Sequence, residues 1–176
     1  KDAQKLLVSF YTMRNILRDG GAQDIAALQQ LNYTTGSGGY TNSTTPSIWP
    51  SKGVITSPYG RRVDPVTGAA SAFHEGVDIA DDYGTPIVAT AAGTVTFAGY
   101  TEGGYGNLVE IDHGNGFVTR YGHNSAVLVT PGMTVKQGQV IAAMGSTGKS
   151  TGAHVHYEVR INGSAVDPMV FLPISN

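Results

Sequence analysis

The run Gly148-Lys149-Ser150-Thr151-Gly152-Ala153-His154-Val155-His156-Tyr157-Glu158 decides the reading of this chain. Its second half reads as a β-strand, and strand side chains alternate between faces. His154 and His156 therefore project together, while Val155 and Tyr157 take the opposite side. Two imidazoles on one face suit a metal site, but the pattern equally fits a solvated face carrying two satisfied histidines. What tips the balance lies upstream, in His74-Glu75-Gly76-Val77-Asp78 and Tyr121-Gly122-His123. Of the five histidines in the chain, these four fall in Gly-rich, small-residue contexts where the backbone can turn sharply. The fifth, His113, lies in Asp112-His113-Gly114-Asn115-Gly116 between two apolar runs. That is a hairpin-loop signature, which makes His113 a turn residue without a functional role.

Around these motifs the chain from residue 48 onward is a series of short apolar or β-branched runs. The pattern predicts strands over 87–90, 93–100, 108–112, 117–121, 140–143 and 155–161, separated by Gly, Asn, Pro and Asp turns such as Pro131-Gly132 and Asn162-Gly163. Short connections imply antiparallel pairing. Heavy glycine use, 24 residues, suits a β-rich domain with tight turns. The predicted fold is therefore mainly β, built of antiparallel sheet with the site in an open groove, over residues 48–176.

The first 31 residues differ. Leu6, Phe10, Met13 and Leu17 recur at three- and four-residue intervals, the stripe of an amphipathic helix. Arg18 and then Gly20-Gly21 mark its end, and Asp24 caps a second short helix through Leu31. This α-helical N-terminal segment offers a surface for self-association or for a protein regulator, although such a stripe usually packs on its own domain. Residues 32–47 are Gly/Ser/Thr-rich and read as a flexible linker with a reach of roughly 20–25 Å.

Composition excludes several classes. A formal net charge of −2 without blocks of like charge argues against nucleic-acid binding, which calls for a basic stripe. The absence of cysteine rules out a disulfide framework and a thiolate zinc site. No apolar run is long enough to span a bilayer. The chain opens at Lys1 directly in a helical pattern, so a targeting segment is expected upstream.

The candidate donors are His74, Asp78, His123, His154 and His156. A catalytic zinc takes three protein ligands and keeps one position open, so some of these five should act on substrate instead. His74 and Asp78 are spaced to share one face of a helix or an extended strand. The H-E-x-x-H helix is a poor description, because position 78 is Asp and Gly76-Val77 disfavours a helix. Glu75 is then a neighbour without a catalytic role. The Gly145–Gly152 run is not a phosphate loop, since its Lys-Ser follows a glycine only three positions beyond Gly145. Instead it would present backbone close to a bound peptide.

In order and without a long gap, Ser57-Pro-Tyr-Gly-Arg-Arg-Val-Asp-Pro65, His74-Glu-Gly-Val-Asp-Ile-Ala80, Tyr105-Gly-Asn107, Tyr121-Gly-His-Asn-Ser125, Val135-Lys-Gln-Gly138 and Gly145 through Glu158 resemble the lysostaphin/LytM-type zinc metalloendopeptidases. The resemblance covers about residues 48–172. Ala153 stands where that family usually has proline and Asn124 where leucine is common; neither change removes a donor. The resemblance implies zinc held by His74, Asp78 and His156, with His123 and His154 facing substrate beside it. It also implies endopeptidase action on peptidoglycan peptide cross-links, in the periplasm or outside the cell. His154 is read as the general base and His123 as the residue that orients water or stabilises an oxyanion, an assignment that spacing alone leaves open. A non-hydrolytic regulatory or cell-wall-binding module of the same fold is the alternative.

Overall fold

The computed structural model describes residues 40–62, 66–68 and 72–174. The N-terminal helices expected over 1–31 lie outside the described residues. Among the described residues thirteen strands follow one another: β1 (Val54–Ser57), β2 (Gly60–Arg62), β3 (Ala72–His74), β4 (Val77–Ala80), β5 (Pro86–Val88), β6 (Gly93–Thr101), β7 (Gly106–Gly114), β8 (Phe117–Asn124), β9 (Ala126–Val127), β10 (Thr134–Val135), β11 (Val140–Ala143), β12 (His154–Ile161) and β13 (Ser164–Val166). A 3-10 turn, Pro168–Phe171, comes after them and is capped by the Asp167 side chain accepting from the Met169 N–H.

The main sheet runs β1-β4-β12-β8-β7-β6-β10, with β13 paired to β12. A second sheet has the order β5-β11-β9, and β2-β3 form a separate two-stranded ribbon. Every pairing is antiparallel. The mainly β, antiparallel expectation is thus met, and all six predicted strands are present with boundaries close to those expected. The strands the pattern missed are all of two to four residues, among them β4, which carries Asp78.

Alternation explains the layers. Val77 and Ile79 on β4, Val155, Tyr157 and Val159 on β12, and Val109 and Ile111 on β7 are all buried on one face. They join Ile87, Ile141, Ala142 and Met144, from β5, β11 and just beyond, in one core cluster. The opposite face of the central strands is polar and carries the site.

Two details differ from the sequence reading. His113 is not a loop residue. It is the next-to-last residue of β7, is buried, and its Nδ1 lies 2.9 Å from the Ala92 carbonyl and its Nε2 2.6 Å from Thr119 Oγ1. The turn proper is Asn115-Gly116, and β7 alternation (Val109, Ile111, His113) brings the imidazole to the core face. A hydroxyl chain continues from it through Thr119, Tyr121, Thr90 and Tyr157. Second, the part of the expected linker that is described lies bonded to the domain. The backbones of Thr41 and Gln137 pair reciprocally at 2.9 and 3.1 Å, Ser47 N–H donates to Thr90, and Gln137 Nε2 donates to Ser47 Oγ.

Candidate metal centre

Register assembles the centre. In the β4–β12 ladder His156 sits directly opposite Asp78, and in the β12–β8 ladder it sits opposite Gly122, one residue before His123. His154 and His156 point to the same polar face, as alternation requires, while Val155 and Tyr157 are fully buried behind them. His74 arrives differently. It ends β3 in the small ribbon, and the chain bends at Glu75-Gly76 before β4 begins. His74 and Asp78 therefore do not share one continuous strand or helix. The bend depends on glycine: a Cβ on Gly76 would collide with the Tyr157 carbonyl oxygen.

His74 Nε2, Asp78 Oδ1 and His156 Nδ1 form a nearly equilateral triangle with sides of 3.0, 3.1 and 3.1 Å. Among the described residues this is the one cluster of His, Cys, Asp and Glu able to hold a metal ion. Four-coordinate zinc with bonds near 2.0–2.1 Å separates its ligand atoms by roughly 3.3 Å. The triangle therefore fits after opening by a few tenths of an ångström. The donor chemistry fits as well. His74 Nδ1–H donates to the Pro58 carbonyl at 2.9 Å, and His156 Nε2–H donates to Glu158 Oε2 at 2.8 Å. Both rings thus turn their other nitrogen toward Asp78.

The remaining two histidines flank the triangle. His154 Nδ1–H donates to the Gly152 carbonyl at 2.8 Å, and its Nε2 lies 3.7 Å from Asp78 Oδ1. His123 Nδ1–H donates to the Thr147 carbonyl at 2.7 Å, and its ring centroid is 4.6 Å from that of His154. A carbonyl can only accept, so each ring keeps an unprotonated Nε2 when neutral. His123 also has φ of +64°, a left-handed conformation costly for a residue with a side chain. Its N–H donates to the Tyr105 carbonyl at 2.6 Å, which holds this irregularity of the β7–β8 ladder.

Electrostatics separate the groups. Burial opposes ionisation of Asp78, but hydrogen bonds from His156 and His74 hold its carboxyl far below the usual carboxylate range. Burial likewise opposes charge on His156, yet hydrogen bonds to Asp78 and Glu158 raise it to about 9. Burial pushes His123 down to about 4.

Sequence reading gave no role to Glu158 and Tyr105, although both stood within its motifs. Tyr105 O–H donates to Glu158 Oε2 at 2.6 Å, and its ring lies 5.7 Å from that of His156. The available signal was alternation, because Glu158 and Arg160 continue the face of His154 and His156. Glu75 is not in the triangle; it pairs with Arg160 Nη2 at 2.8 Å. Phe73, Gly104, Tyr105 and Lys149 join His74, His123 and His156 in lining an open cleft of about 300 Å³. In the Gly145–Gly152 loop, Gly148 (φ +73°) packs against the backbone of Gly104 and Gly106.

An antiparallel β domain with a His/Asp/His triangle in an open cleft defines a candidate metallohydrolase centre. Residues 72–168 match Peptidase family M23, and the chain belongs to that family. It is 49% identical over 120 residues to the DD-carboxypeptidase/endopeptidase Mpg of Neisseria meningitidis serogroup B, a match covering 68% of this chain and 27% of that protein. It is 40% identical over 125 residues to the murein hydrolase activator NlpD of Escherichia coli, covering 71% and 31%. The catalytic domain of the antimicrobial peptidase lysostaphin from Staphylococcus simulans superposes with a TM-score of 0.62 at 34% identity, covering 67% of this chain and 90% of that one. The chain thus spans only about a third or less of the length of these two curated relatives.

Proposed function

We propose that this domain is a zinc-dependent endopeptidase that hydrolyses peptide cross-links of bacterial peptidoglycan, in the periplasm or at the cell wall. The observation that carries the reading is the donor triangle, in which each imidazole has its outward N–H fixed by an acceptor. His74, Asp78 and His156 are the zinc ligands in this reading. Bound there, zinc supplies Lewis acidity, which lowers the pKa of water to about 7 and polarises a carbonyl.

The other side chains handle protons and orientation. His154 Nε2 takes the proton of the attacking water and returns it to the departing amine. Its Nδ1–H bond to Gly152 fixes the tautomer that this exchange needs. His123, kept neutral by burial, presents Nε2 as an acceptor, so it orients the water; stabilising an oxyanion would require a donor. The open cleft suits a large polymer substrate.

The experiment is digestion of purified peptidoglycan with and without a zinc chelator, read by mass spectrometry. New muropeptides that vanish with chelator and return with zinc are expected. No products from protein holding stoichiometric zinc would defeat the reading.

A second reading is a module that activates another hydrolase without cutting, and the likeness to a murein hydrolase activator favours it. The retention of all five donors weighs against it. In that case the protein would release products only when a separate hydrolase is added. The N-terminal segment would then be the place to look for the partner.

A further inference from the structure

Glu158 is 1% exposed, and its two oxygens are used differently. Oε1 accepts from Arg160, from Nε and Nη2 at 2.8 Å each, with Arg120 Nη1 4.0 Å away. Oε2 accepts from His156 Nε2–H at 2.8 Å and from Tyr105 O–H at 2.6 Å. Arg160 is itself held by Glu75, and Arg120 by Glu110 at 2.6 Å. The carboxylate is thus clamped by its arginine side and offers the other side to one imidazole nitrogen. A buried ion pair of this kind is a weak source of net stability, because desolvation offsets most of the attraction. An arginine clamp would also be complete without any contact to His156.

We propose that Glu158 is a positioning residue for the metal centre: it accepts a fixed hydrogen bond from His156 Nε2–H and so presents Nδ1 to the point faced by His74 Nε2 and Asp78 Oδ1. A carboxylate accepts and does not donate, so Nε2 must carry the proton and the ring cannot flip without breaking the bond. Tyr105 extends the effect. Its hydroxyl shares Oε2, its ring packs beside His156, and its carbonyl holds the strained His123 backbone. Ligand and substrate-facing histidine are thereby referred to one support. This inference rests on the reading of His156 as a ligand.

The test compares zinc affinity, by chelator competition, in the wild-type protein, Glu158→Gln and Val159→Ala. Val159 is fully buried on the apolar face of the same strand, so its truncation controls for lost stability. Glu158→Gln should bind zinc roughly 10–100-fold more weakly, the usual cost of losing such an outer partner. Val159→Ala should melt earlier with an unchanged zinc dissociation constant. Equal affinity in Glu158→Gln, or the same loss in Val159→Ala, would overturn the proposal. If Glu158→Gln does not fold, nitrogen-15 NMR of the zinc-loaded wild type decides. His156 should show a protonated Nε2 and a metal-bound Nδ1, and the reverse would overturn it. Full zinc affinity in His156→Ala would defeat the ligand assignment itself, separately from the role of Glu158.

Discussion

Truncating His123 should separate metal binding from turnover, because none of its atoms belongs to the donor triangle. Its contacts are the Nδ1–H bond to Thr147 at 2.7 Å and ring contacts with His154 and His156 at centroid distances of 4.6 and 6.0 Å. His123→Ala therefore leaves His74, Asp78 and His156 in place, and zinc should bind with unchanged stoichiometry. The backbone strain at φ +64° persists, since alanine also has a Cβ. The Thr147 carbonyl loses its imidazole donor, which should cost about 1–3 kcal/mol of stability. Turnover should fall by about 10²–10⁴-fold, the range for a positioned acid–base or water-orienting group, which is about 2.7–5.5 kcal/mol of barrier. Metal content of the dialysed protein, a thermal melt, and muropeptide release at saturating substrate supply the three readings. If His123→Ala emerged without zinc, the division of the five donors into ligands and substrate-facing residues would be wrong. If it retained full turnover, the water-orienting role would be lost.

Asp78→Ala should lose zinc and turnover together, and its melting temperature should no longer respond to added zinc. Wild-type protein at zinc 100-fold above its dissociation constant should gain about 2.7 kcal/mol; a melt insensitive to zinc in both proteins would count against the site. Gly76→Ala should destabilise the domain by about 1–3 kcal/mol, because its Cβ meets the Tyr157 carbonyl and comes 3.0 Å from Glu158 Cγ; an unchanged melt would contradict the tight β3–β4 bend. Burial lowers the His113 pKa below 6.5, so the unfolded chain binds the proton more readily. The stability tied to this residue should be complete above pH 6.5 and decline as pH falls below it toward the depressed folded value, by about 1.4 kcal/mol per unit of depression. His113→Leu should flatten that decline in melts from pH 7 to 5, and an identical pH profile would refute the assignment.

Much of the site was legible because strand alternation is local. Val155 and Tyr157 inward with His154 and His156 outward needs nothing beyond the sequence, and the structure agrees. The same rule, applied from Val109 and Ile111, would have carried His113 to the core; the glycines flanking Asn115 made the end of β7 read as loop. The position of Asp78 beside His156 was not legible from spacing to His74. It depends on pairing between β4 and β12, segments 74 or more residues apart along the chain, and β4 is only four residues long. Hydrogen bonds between residues far apart in sequence, such as Tyr105 before β7 and Glu158 on β12, have no periodic signature at all.

The geometry of the centre follows from how its register is locked. A one-residue slip of β12 would expose Val155, Tyr157 and Val159 and drive His154, His156 and Glu158 into the core. Each of those three apolar side chains is fully buried, and burying one of that size is worth about 1.5–3 kcal/mol. Slippage is therefore prevented by the apolar face, leaving the polar face free to be chosen for chemistry. That argument covers Asp78 and His156, which pair across a ladder, and His154, whose outward face the same register sets. It does not cover His74, at the end of the small ribbon, or His123, at a strained bulge near the end of β8. Those two instead hang from backbone carbonyls, Pro58 for one ring and Thr147 for the other. The centre is thus held by two independent devices. Damage to the core should disturb Asp78 and His156 first, while loosening of the Pro58 or Thr147 segments should misplace His74 or His123 with the sheet intact.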